Sequence, residues 1–414
     1  MNSPQSTRPG RIVIVGAGHG GANVAALLRQ QGYDGEVVLV GDETTWPYQR
    51  PPLSKDYLKG AVSDDDLLIK PKDFYADQRI DVRFGNAVEE IDPAARTVTL
   101  GGGETISYDA LVLATGAAPR LLPADGADLD GVHYLRNHDD ALRLSAEIVS
   151  GARIAIVGGG YVGLEVAASA RHLGATAVVL EREDRALARV AGADLAAFLA
   201  DHHASRGTEI RTGADVVRLD GDADGKVSAV VLGDGARIDC DAVLVGVGAI
   251  PRTGLAEAAG IACDGGVLVD DRGRTSVDGV YAVGDVTRRP LDHFPGRHRL
   301  ESIPSAVEQA KQVVAHLLGE TPRPHDVPWF WSDQYDLKIK IAGLVGFADR
   351  AVVRGDVAAG RFAVFHLSGD AVVAVETVNS APDFMVAKKL IASSGHVDAT
   401  RLGDPSVALR DLVS

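Results

Sequence analysis

The sequence predicts an α/β protein with two parallel β-sheets followed by a C-terminal α+β region, and three observations lead to this fold class. A glycine-rich loop between a short apolar strand and a helix occurs twice, beginning at Gly16 and again at Gly158. In both copies a second apolar run follows the helix, which is typical of parallel strands buried on both faces. After about residue 326 the runs alternate and are separated by glycine turns, which is typical of antiparallel strands. The chain has 414 residues, enough for two or three domains.

The first copy begins with the apolar run Arg11–Val15, which we predict to be a buried strand. The loop Gly16-Ala17-Gly18-His19-Gly20-Gly21 follows, then a helix predicted over 22–31 and a strand predicted over 37–40. Such a βαβ unit of about 30 residues is the context in which a GxGxxG loop binds a dinucleotide.

The second copy has the same order of elements. A strand is predicted over 153–157, a helix over 164–173 and a second strand over 177–180, with the loop Gly158-Gly159-Gly160-Tyr161-Val162-Gly163 after the first strand. Two such units in one chain predict two Rossmann-like dinucleotide-binding domains.

Each position of these loops has its own physical role. The first glycine permits a tight turn, the second lets the backbone approach a pyrophosphate, and the third lets the helix pack closely on the strand. The helix N-terminus adds backbone N–H groups, and an acidic residue about 20 positions further on accepts a hydrogen bond from a ribose hydroxyl. The candidates are Gly16, Gly18, Gly21, Asp42 and Glu43 in the first copy, and Gly158, Gly160, Tyr161, Val162, Gly163 and Glu181 in the second.

Three further apolar runs are predicted to complete the sheets. The run 108–114 ends in Ala114-Thr115-Gly116, the run 241–247 ends at Gly248, and the run 280–283 leads into Gly284-Asp285. Asp285 would accept a hydrogen bond from a ribityl hydroxyl. These segments predict FAD in the first site and a nicotinamide dinucleotide in the second.

Composition excludes several classes of protein. The net charge of −15 argues against a general polyanion binder, and no apolar run approaches the roughly 18 residues that span a bilayer. The polar residues 1–10 do not resemble an export signal, so we expect a cytoplasmic protein. Cys240 and Cys263 are the two cysteines, which excludes a disulfide framework and any CxxC site. The 12 histidines show no metal spacing, so no metal is expected, and we expect His202-His203 on an exposed helix face.

Several segments, in this order, make the chain similar to the oxygenase-coupled NADH-dependent ferredoxin reductases. They are RPPLSK at 50–55, GGGYVGLE at 158–165, GVYAVGDV at 279–286, RLESIPSAVEQ at 299–309 and WFWSDQY at 329–335. The resemblance implies a glutathione-reductase-type fold with a C-terminal α+β domain. It implies an FAD domain of residues 1–115 and 249–325, an NADH domain of residues 116–248 and a C-terminal domain of residues 326–414. From the residues themselves, Pro322, Pro324 and Pro328 mark the linker before the C-terminal region.

The resemblance also implies roles for single residues. Lys55 would reach flavin N5 and pair with Glu165, and these two are the candidate catalytic residues. A helix beginning within 301–309 would direct its N-terminus at the flavin carbonyls and stabilise the reduced ring. The other implied FAD contacts are Arg50, Pro51, Arg136, Ser302, Ile303 and Trp331.

The electron acceptor follows in part from the missing cysteines. Disulfide reductases of this fold need cysteines beside the flavin in the N-terminal domain, and this chain has none before Cys240. Electrons must therefore leave to a one-electron carrier or to oxygen. The resemblance implies a 2Fe–2S ferredoxin that supplies a haem monooxygenase or a Rieske-type oxygenase. An NADH oxidase and a flavoprotein similar to apoptosis-inducing factors, in which NADH switches conformation, are the alternatives.

Such ferredoxins are usually acidic, so docking on a chain of net charge −15 would need a local basic surface. The candidates for it are Lys311, Lys338, Lys340, Lys388, Lys389, Arg297 and Arg299. The sequence leaves the oligomeric state open between a monomer and a weak dimer.

Overall fold

The computed structural model describes residues 8–321 and 324–412, which form two compact units. The described residues of the first unit come from Met1–Gln49, Asp64–Ala118 and Ile250–Pro328, and those of the second from Arg50–Ser63, Pro119–Ala249 and Trp329–Ser414. Pro322, one of the predicted linker prolines, lies outside the described residues. The domain boundaries derived above remain a proposal.

The first unit is built on a five-stranded sheet in which all neighbouring strands are parallel. Its strands, in spatial order, are Val280–Ala282, Ala110–Leu113, Arg11–Val15, Glu36–Val40 and Ile80–Arg83. Successive residues of the central strand point to opposite faces, so Ile12 and Ile14 enter one core while Val13 and Val15 enter the other. The sheet is thus buried on both sides, which explains its nearly continuous apolar strands.

Helices, a small antiparallel sheet and a small mixed sheet complete the first unit. The helices His19–Gln30 and Ile303–Leu317 contact each other and share the core that contains Ile12 and Ile14. The other helices are Asp64–Leu67, Lys72–Asp77 and Gly254–Ala258, with a 3₁₀ turn at Gly284–Val286. The strands of one small sheet are Val88–Asp92, Thr97–Leu100 and Thr105–Ser107. Those of the other are Val267–Leu268, Thr287–Leu291 and Phe294–His298. The short strands Ala117–Pro119 and Ala249–Pro251 lie where the chain passes from one unit to the other.

The second unit contains a parallel sheet of the same kind. Its spatial order is Thr208–Arg211, Thr176–Leu180, Arg153–Val157, Ala242–Val245 and Val132–Tyr134. The associated helices are His138–Glu147, Tyr161–His172 and Ala193–Ser205, with a 3₁₀ turn at Pro51–Ser54 and an antiparallel sheet of Val216–Gly221, Val227–Leu232 and Arg237–Asp239.

An antiparallel five-stranded sheet formed by the C-terminal segment belongs to the same unit. Its spatial order is Trp329–Gln334, Leu337–Gly343, Ala371–Val378, Arg361–Ser368 and Arg350–Asp356, with the helices Ala381–Ala392 and Ala399–Gly403 and 3₁₀ turns at Val345–Phe347 and Leu409–Leu412. One hydrophobic core joins this sheet to the parallel one, through residues such as Ile339 and Phe362 on one side and Ile156 and Leu164 on the other.

The predicted fold class is confirmed, and both glycine loops lie between a parallel strand and a helix. The two helices after the loops begin three residues earlier than predicted, at His19 and Tyr161. The reason is that Gly18 and Gly160 are the N-cap residues, so the following glycines form part of the first helical turn. In the described part of the chain, no helix has the length and apolar character needed to cross a bilayer.

Candidate functional site

The first glycine loop lies at the edge of the first sheet where the strands end. Gly16 has a φ of +110°, and a side chain there would collide with the backbone of Ala114, so the position requires glycine. At Gly18 an added Cβ would meet nothing within 4 Å, so the loop backbone is open at this point. At Gly21 it would collide with the carbonyl of Gly16. The loop therefore has the close helix–strand packing and the accessible backbone that a pyrophosphate needs.

The neighbouring strands end at the same edge. The N–H of Gly16 donates to the Val40 carbonyl at 2.8 Å, and the N–H of Ala114 donates to the Val15 carbonyl at 2.7 Å. Parallel strands present their carboxyl ends together, so the segments after 15, 40, 113 and 282 converge here. This convergence brings together the predicted first-site residues of this unit, namely the loop glycines, Asp42, Glu43, Ala114, Thr115, Gly116, Gly284 and Asp285.

Two carboxylates follow the second strand, and each is oriented by a side chain of its own unit. Asp42 accepts from the Arg252 guanidinium at 2.8 Å, and the Tyr48 hydroxyl donates to Glu43 at 2.5 Å. Gly41 lies against Ala17, since a Cβ at Gly41 would come within 2.8 Å of the Ala17 methyl carbon. Gly41, which precedes Asp42 and Glu43 in the chain, therefore contacts the glycine loop.

The Gly284-Asp285 turn is fixed to the helix Ile303–Leu317. The Thr287 hydroxyl is 2.8 Å from the Gly284 carbonyl and 2.7 Å from Gln309 Oε1, and Gln309 donates to Ser305 at 3.2 Å. The helix begins at Ile303 within the predicted interval, with Ser302 as its N-cap accepting from the Ser305 N–H. The turn and the helix N-terminus are thereby held together.

The second glycine loop has the same geometry at the edge of the second sheet. Gly158 has a φ of +106°, and an added Cβ would come within 2.5 Å of the Gly246 carbonyl. At Gly160 a Cβ would meet nothing within 4 Å, whereas at Gly163 it would collide with the Gly158 carbonyl. Gly248, with a φ of +110°, accepts from the Arg120 N–H at 2.9 Å. Steric contacts therefore require glycine at positions 158 and 163, the positive φ favours it at position 248, and the backbone at Gly160 is open.

Glu181 follows the second strand of this sheet directly and contacts the loop. Its Oε2 accepts from the Gly159 N–H at 2.7 Å and its Oε1 from the Glu183 N–H at 2.9 Å. The adjacent Arg182 pairs with Glu183 at 3.2 Å. Tyr161 is partly buried with its ring against Phe330, and its buried hydroxyl has no hydrogen-bond partner within residues 8–321 and 324–412. Burial raises the pKa of Tyr161 well above its usual value.

Arg50 and Pro51 begin a short turn in the second unit. Two prolines open the 3₁₀ turn Pro51–Ser54, and their fixed φ angles preorganise it. The Arg50 guanidinium donates to the Arg136 carbonyl, so the structure brings these two predicted residues together. Arg136 itself precedes a helix capped by Asn137, which accepts from the Asp140 N–H.

Lys55 and Glu165 form the predicted ion pair. Lys55 Nζ is 2.8 Å from Glu165 Oε2, and both side chains are largely buried. The Ser54 hydroxyl donates to the same oxygen at 2.5 Å, and the Ser332 hydroxyl donates to Oε1 at 2.6 Å. Lys55 also donates to the Pro51 carbonyl at 3.2 Å. Three donors therefore satisfy the two oxygens of the Glu165 carboxylate, which in turn holds the Lys55 ammonium in place.

The expectation for His202-His203 is wrong. His203 is completely buried, and its Nε2 lies 2.9 Å from Gln334 Oε1, while His202 is mostly buried beside Asp336. Burial lowers the pKa of His203 to about 4, so the ring is neutral at physiological pH. The helix Ala193–Ser205 packs its last turn against the strand Trp329–Gln334 of the C-terminal sheet, which no local pattern reveals.

Trp331 lies on the same strand but on its other face. Its ring is 5.8 Å from that of Trp329, and Lys388 Nζ is 5.5 Å from the Trp329 ring. Lys340 Nζ likewise lies over the Phe384 ring, 5.5 Å from its centroid. Two of the other candidate cations form ion pairs, Lys338 with Asp333 and Arg299 with Glu301. The Arg297 guanidinium donates to the Val269 carbonyl. Lys311 and Lys389 are exposed.

Both thiols are unsuited to redox chemistry. Cys240 is buried, and this burial raises the pKa of its thiol to about 12. Burial also raises the pKa of Cys263 above its usual value. Since the thiolate is the reactive form, neither cysteine has the character of a redox centre.

The sequence did not single out Ser54, Ser332 and Gln334. A signal exists for the last two, because they are polar residues spaced two apart on the face of a strand that enters the core. A buried polar pair at such spacing indicates a hydrogen-bond network.

Comparisons with known proteins agree with this geometry. Residues 10–310 match the family described as pyridine nucleotide-disulphide oxidoreductase, and residues 329–413 match the domain described as reductase C-terminal. The probable ferredoxin reductase CtmF of Castellaniella defragrans is 45% identical over 97% of this chain and 98% of its own. The anthranilate 1,2-dioxygenase system ferredoxin–NAD(+) reductase component of Burkholderia cepacia is 38% identical over 96% and 98%.

A solved structure is similar over the same extent. The putidaredoxin reductase in its covalent complex with putidaredoxin is 40% identical, with a TM-score of 0.95, over 97% of both chains. Together with the two glycine loops and the C-terminal sheet, these findings show that the chain belongs to the pyridine nucleotide-disulphide oxidoreductase family and, within it, to the ferredoxin reductases.

Proposed function

We propose that this protein is a flavoprotein of electron transport, an NADH-dependent reductase that uses FAD to reduce a 2Fe–2S ferredoxin supplying an oxygenase. The observation that carries the proposal is the presence of two complete dinucleotide loops in a chain with no cysteine before Cys240. The electrons therefore leave to an external acceptor rather than to a disulfide. Relatives of this chain are named as ferredoxin reductases, and two of these names refer to dioxygenase systems. We place the reaction in the cytoplasm.

The first sheet provides the binding residues for FAD. Gly16, Gly18 and Gly21 hold the pyrophosphate through backbone N–H groups and the dipole of the helix His19–Gln30. Asp42 or Glu43 accepts from the adenosine ribose, and Asp285 accepts from the ribityl chain. FAD, when bound, accepts a hydride and releases single electrons, which couples a two-electron donor to a one-electron carrier.

The second sheet provides the binding residues for NADH. Gly158, Gly160 and Gly163 hold its pyrophosphate, and Tyr161 and Val162 begin the helix that directs N–H groups at it. Glu181 accepts from the adenosine 2′-hydroxyl through its remaining lone pairs and repels a 2′-phosphate. The chain thereby selects NADH over NADPH.

Lys55 and Glu165 are the proposed catalytic pair. The Lys55 ammonium stabilises negative charge on the reduced isoalloxazine, because a preorganised cation in a site of low dielectric costs no reorganisation during the reaction. Glu165 and its donors hold that ammonium in one position. Arg50, Pro51, Arg136, Ser302, Ile303 and Trp331 are the further proposed contacts of the flavin.

Stopped-flow reduction of the holoenzyme tests the proposal. NADH is mixed anaerobically with the FAD-loaded protein, the flavin absorbance is followed, and an oxidised 2Fe–2S ferredoxin is then added. We expect rapid reduction by NADH and rapid reoxidation by ferredoxin. Reoxidation by oxygen alone at the same rate would indicate an NADH oxidase. A long-lived reduced complex that neither acceptor reoxidises would indicate a conformational switch protein.

A further inference from the structure

A continuous line of buried polar side chains extends from Glu165 into the interior of the second unit. Ser332 Oγ is 2.6 Å from Glu165 Oε1, Gln334 Nε2 is 3.1 Å from Ser332 Oγ, and His203 Nε2 is 2.9 Å from Gln334 Oε1. All four side chains are at most 5% exposed. Buried polar groups of this kind have to be satisfied by one another.

The protons of this line have one consistent arrangement. The Glu165 carboxylate only accepts, so Ser332 donates its single hydroxyl proton to it and accepts from the Gln334 amide. Gln334 Oε1 then faces His203, whose Nε2 carries the proton. His203 Nδ1 has no partner among the described residues, which agrees with a neutral ring protonated on Nε2. Every hydrogen bond therefore points toward Glu165.

Three separate elements place these residues. The helix Tyr161–His172 carries Glu165, the helix Ala193–Ser205 carries His203, and the strand Trp329–Gln334 carries Ser332 and Gln334. Because strand side chains alternate, Ser332 and Gln334 point into the core while Trp331 lies on the other face.

The two oxygens of Glu165 have different partners. Oε2 is shared by Lys55 and Ser54, whereas Oε1 is held by Ser332 alone among the hydrogen bonds described for it. Anchoring Oε1 fixes the rotation of the carboxylate and so directs Oε2 at Lys55. Without Ser332, Oε1 would be a buried acceptor lacking a donor, and the carboxylate would reorient to recover one.

We infer that Ser332 and Gln334, with His203 behind them, are positioning residues that set the orientation of the Lys55–Glu165 pair and hence the rate at which NADH reduces the bound FAD. The inference rests on the proposed function of that pair. Ser332 acts on Glu165 directly, Gln334 acts by holding the Ser332 hydroxyl, and His203 acts by holding the Gln334 amide.

Single-turnover reduction of the FAD-loaded enzyme by NADH tests the inference. We expect Ser332→Ala to lower the limiting rate about tenfold, which corresponds to the loss of one hydrogen bond to a charged group, with the NADH dissociation constant unchanged. Gln334→Met, of similar size, should lower it by a smaller factor. Ser332→Thr keeps the hydroxyl and should restore the rate to within about twofold of the wild type.

The matched control removes a buried hydroxyl elsewhere in the same sheet. Thr377 donates to the Lys340 carbonyl and has no bond to this line. Thr377→Val should leave the limiting rate unchanged. If Thr377→Val slows reduction as much as Ser332→Ala does, or if Ser332→Thr fails to restore the rate, the effect is one of packing and the inference is wrong.

A double-mutant cycle separates the inference from the proposed function. If Ser332 acts only through Glu165, then Ser332→Ala should add nothing to Glu165→Gln. Independent effects that multiply would overturn the inference. If Glu165→Gln and Lys55→Met slow reduction but Ser332→Ala does not, the inference alone fails. If neither Glu165→Gln nor Lys55→Met changes the rate, the proposed role of the pair fails, and the inference fails with it.

Discussion

The Gly159 N–H donates to Glu181 Oε2 at 2.7 Å, so the second glycine loop and the acidic residue after the next strand hold each other in place. The other oxygen accepts from the Glu183 N–H at 2.9 Å. Two backbone donors therefore fix this carboxylate beside the loop, where we propose that it accepts from a ribose hydroxyl.

This arrangement predicts a strong preference for NADH. A 2′-phosphate would meet the fixed Glu181 carboxylate, and Arg182, the nearest cation in sequence, is paired with Glu183. We expect kcat/KM for NADH to exceed kcat/KM for NADPH at least tenfold. The substitution Glu181→Ala should lower this preference, mainly by raising the KM for NADH. Steady-state kinetics with both nucleotides measure the two values of kcat/KM. Comparable efficiency with NADPH in the wild type would contradict the assignment.

Removal of the carboxylate beside Lys55 should affect hydride transfer and leave FAD binding intact. In Glu165→Ala the buried ammonium loses its counter-charge and its orientation, so we expect FAD reduction by NADH to slow by about tenfold to a hundredfold. The flavin content of the purified protein is the control and should match that of the wild type. An unchanged reduction rate would exclude a catalytic role for the pair.

The buried His203 should make the fold sensitive to acid. Its pKa is lowered to about 4 in the folded protein from an ordinary value of 6.5, chiefly by burial. Below pH 6.5 the unfolded chain therefore binds a proton that the folded protein does not, and the free energy of unfolding decreases as the pH falls from 6.5 to 4. The full loss is on the order of 3 kcal/mol.

Urea unfolding at a series of pH values measures this loss. His203→Gln removes the titrating group, so we expect its free energy of unfolding to decrease less between pH 6.5 and 4 than that of the wild type. His396, which is exposed, provides the control substitution His396→Gln, expected to leave the decrease unchanged. The prediction fails if His203→Gln and the wild type lose stability in parallel.

Reversal of charge near Trp329 should slow electron delivery to ferredoxin. Lys388 lies over the Trp329 ring, Lys338 is paired with Asp333, and Lys389 is exposed. Glutamate at Lys338, Lys388 or Lys389 should lower the ferredoxin-dependent rate while single-turnover FAD reduction by NADH stays constant. The Lys338 effect should be the smallest, because Asp333 already offsets that charge.

Ionic strength supplies the check on this prediction. The Debye length falls from about 10 Å at 0.1 M salt to about 3 Å at 1 M, so the difference between each variant and the wild type should shrink with salt. Lys72→Glu, an exposed lysine outside the candidate set, serves as the control. A ferredoxin-dependent rate that does not depend on salt would indicate apolar docking instead.

Local patterns were sufficient for the strand that precedes each glycine loop. The strands Arg11–Val15 and Arg153–Val157 have the predicted bounds, because a buried parallel strand is a continuous apolar run and a glycine loop ends it sharply. The pairing of Lys55 with Glu165 came from resemblance to a family, since no local rule relates two residues 110 positions apart.

The sequence by itself determined the two dinucleotide loops, the acidic residues that follow them and the absence of a redox cysteine before Cys240, because these depend on short-range geometry and residue chemistry. Only the tertiary structure decided that the helix end carrying His203 is buried against Gln334, where the sequence had indicated an exposed face. The physical reason is that burial of a polar side chain depends on which distant surface packs against it. Residues 203 and 334 meet through a shared core, and hydrophobic periodicity carries no information about the partner that covers a helix end.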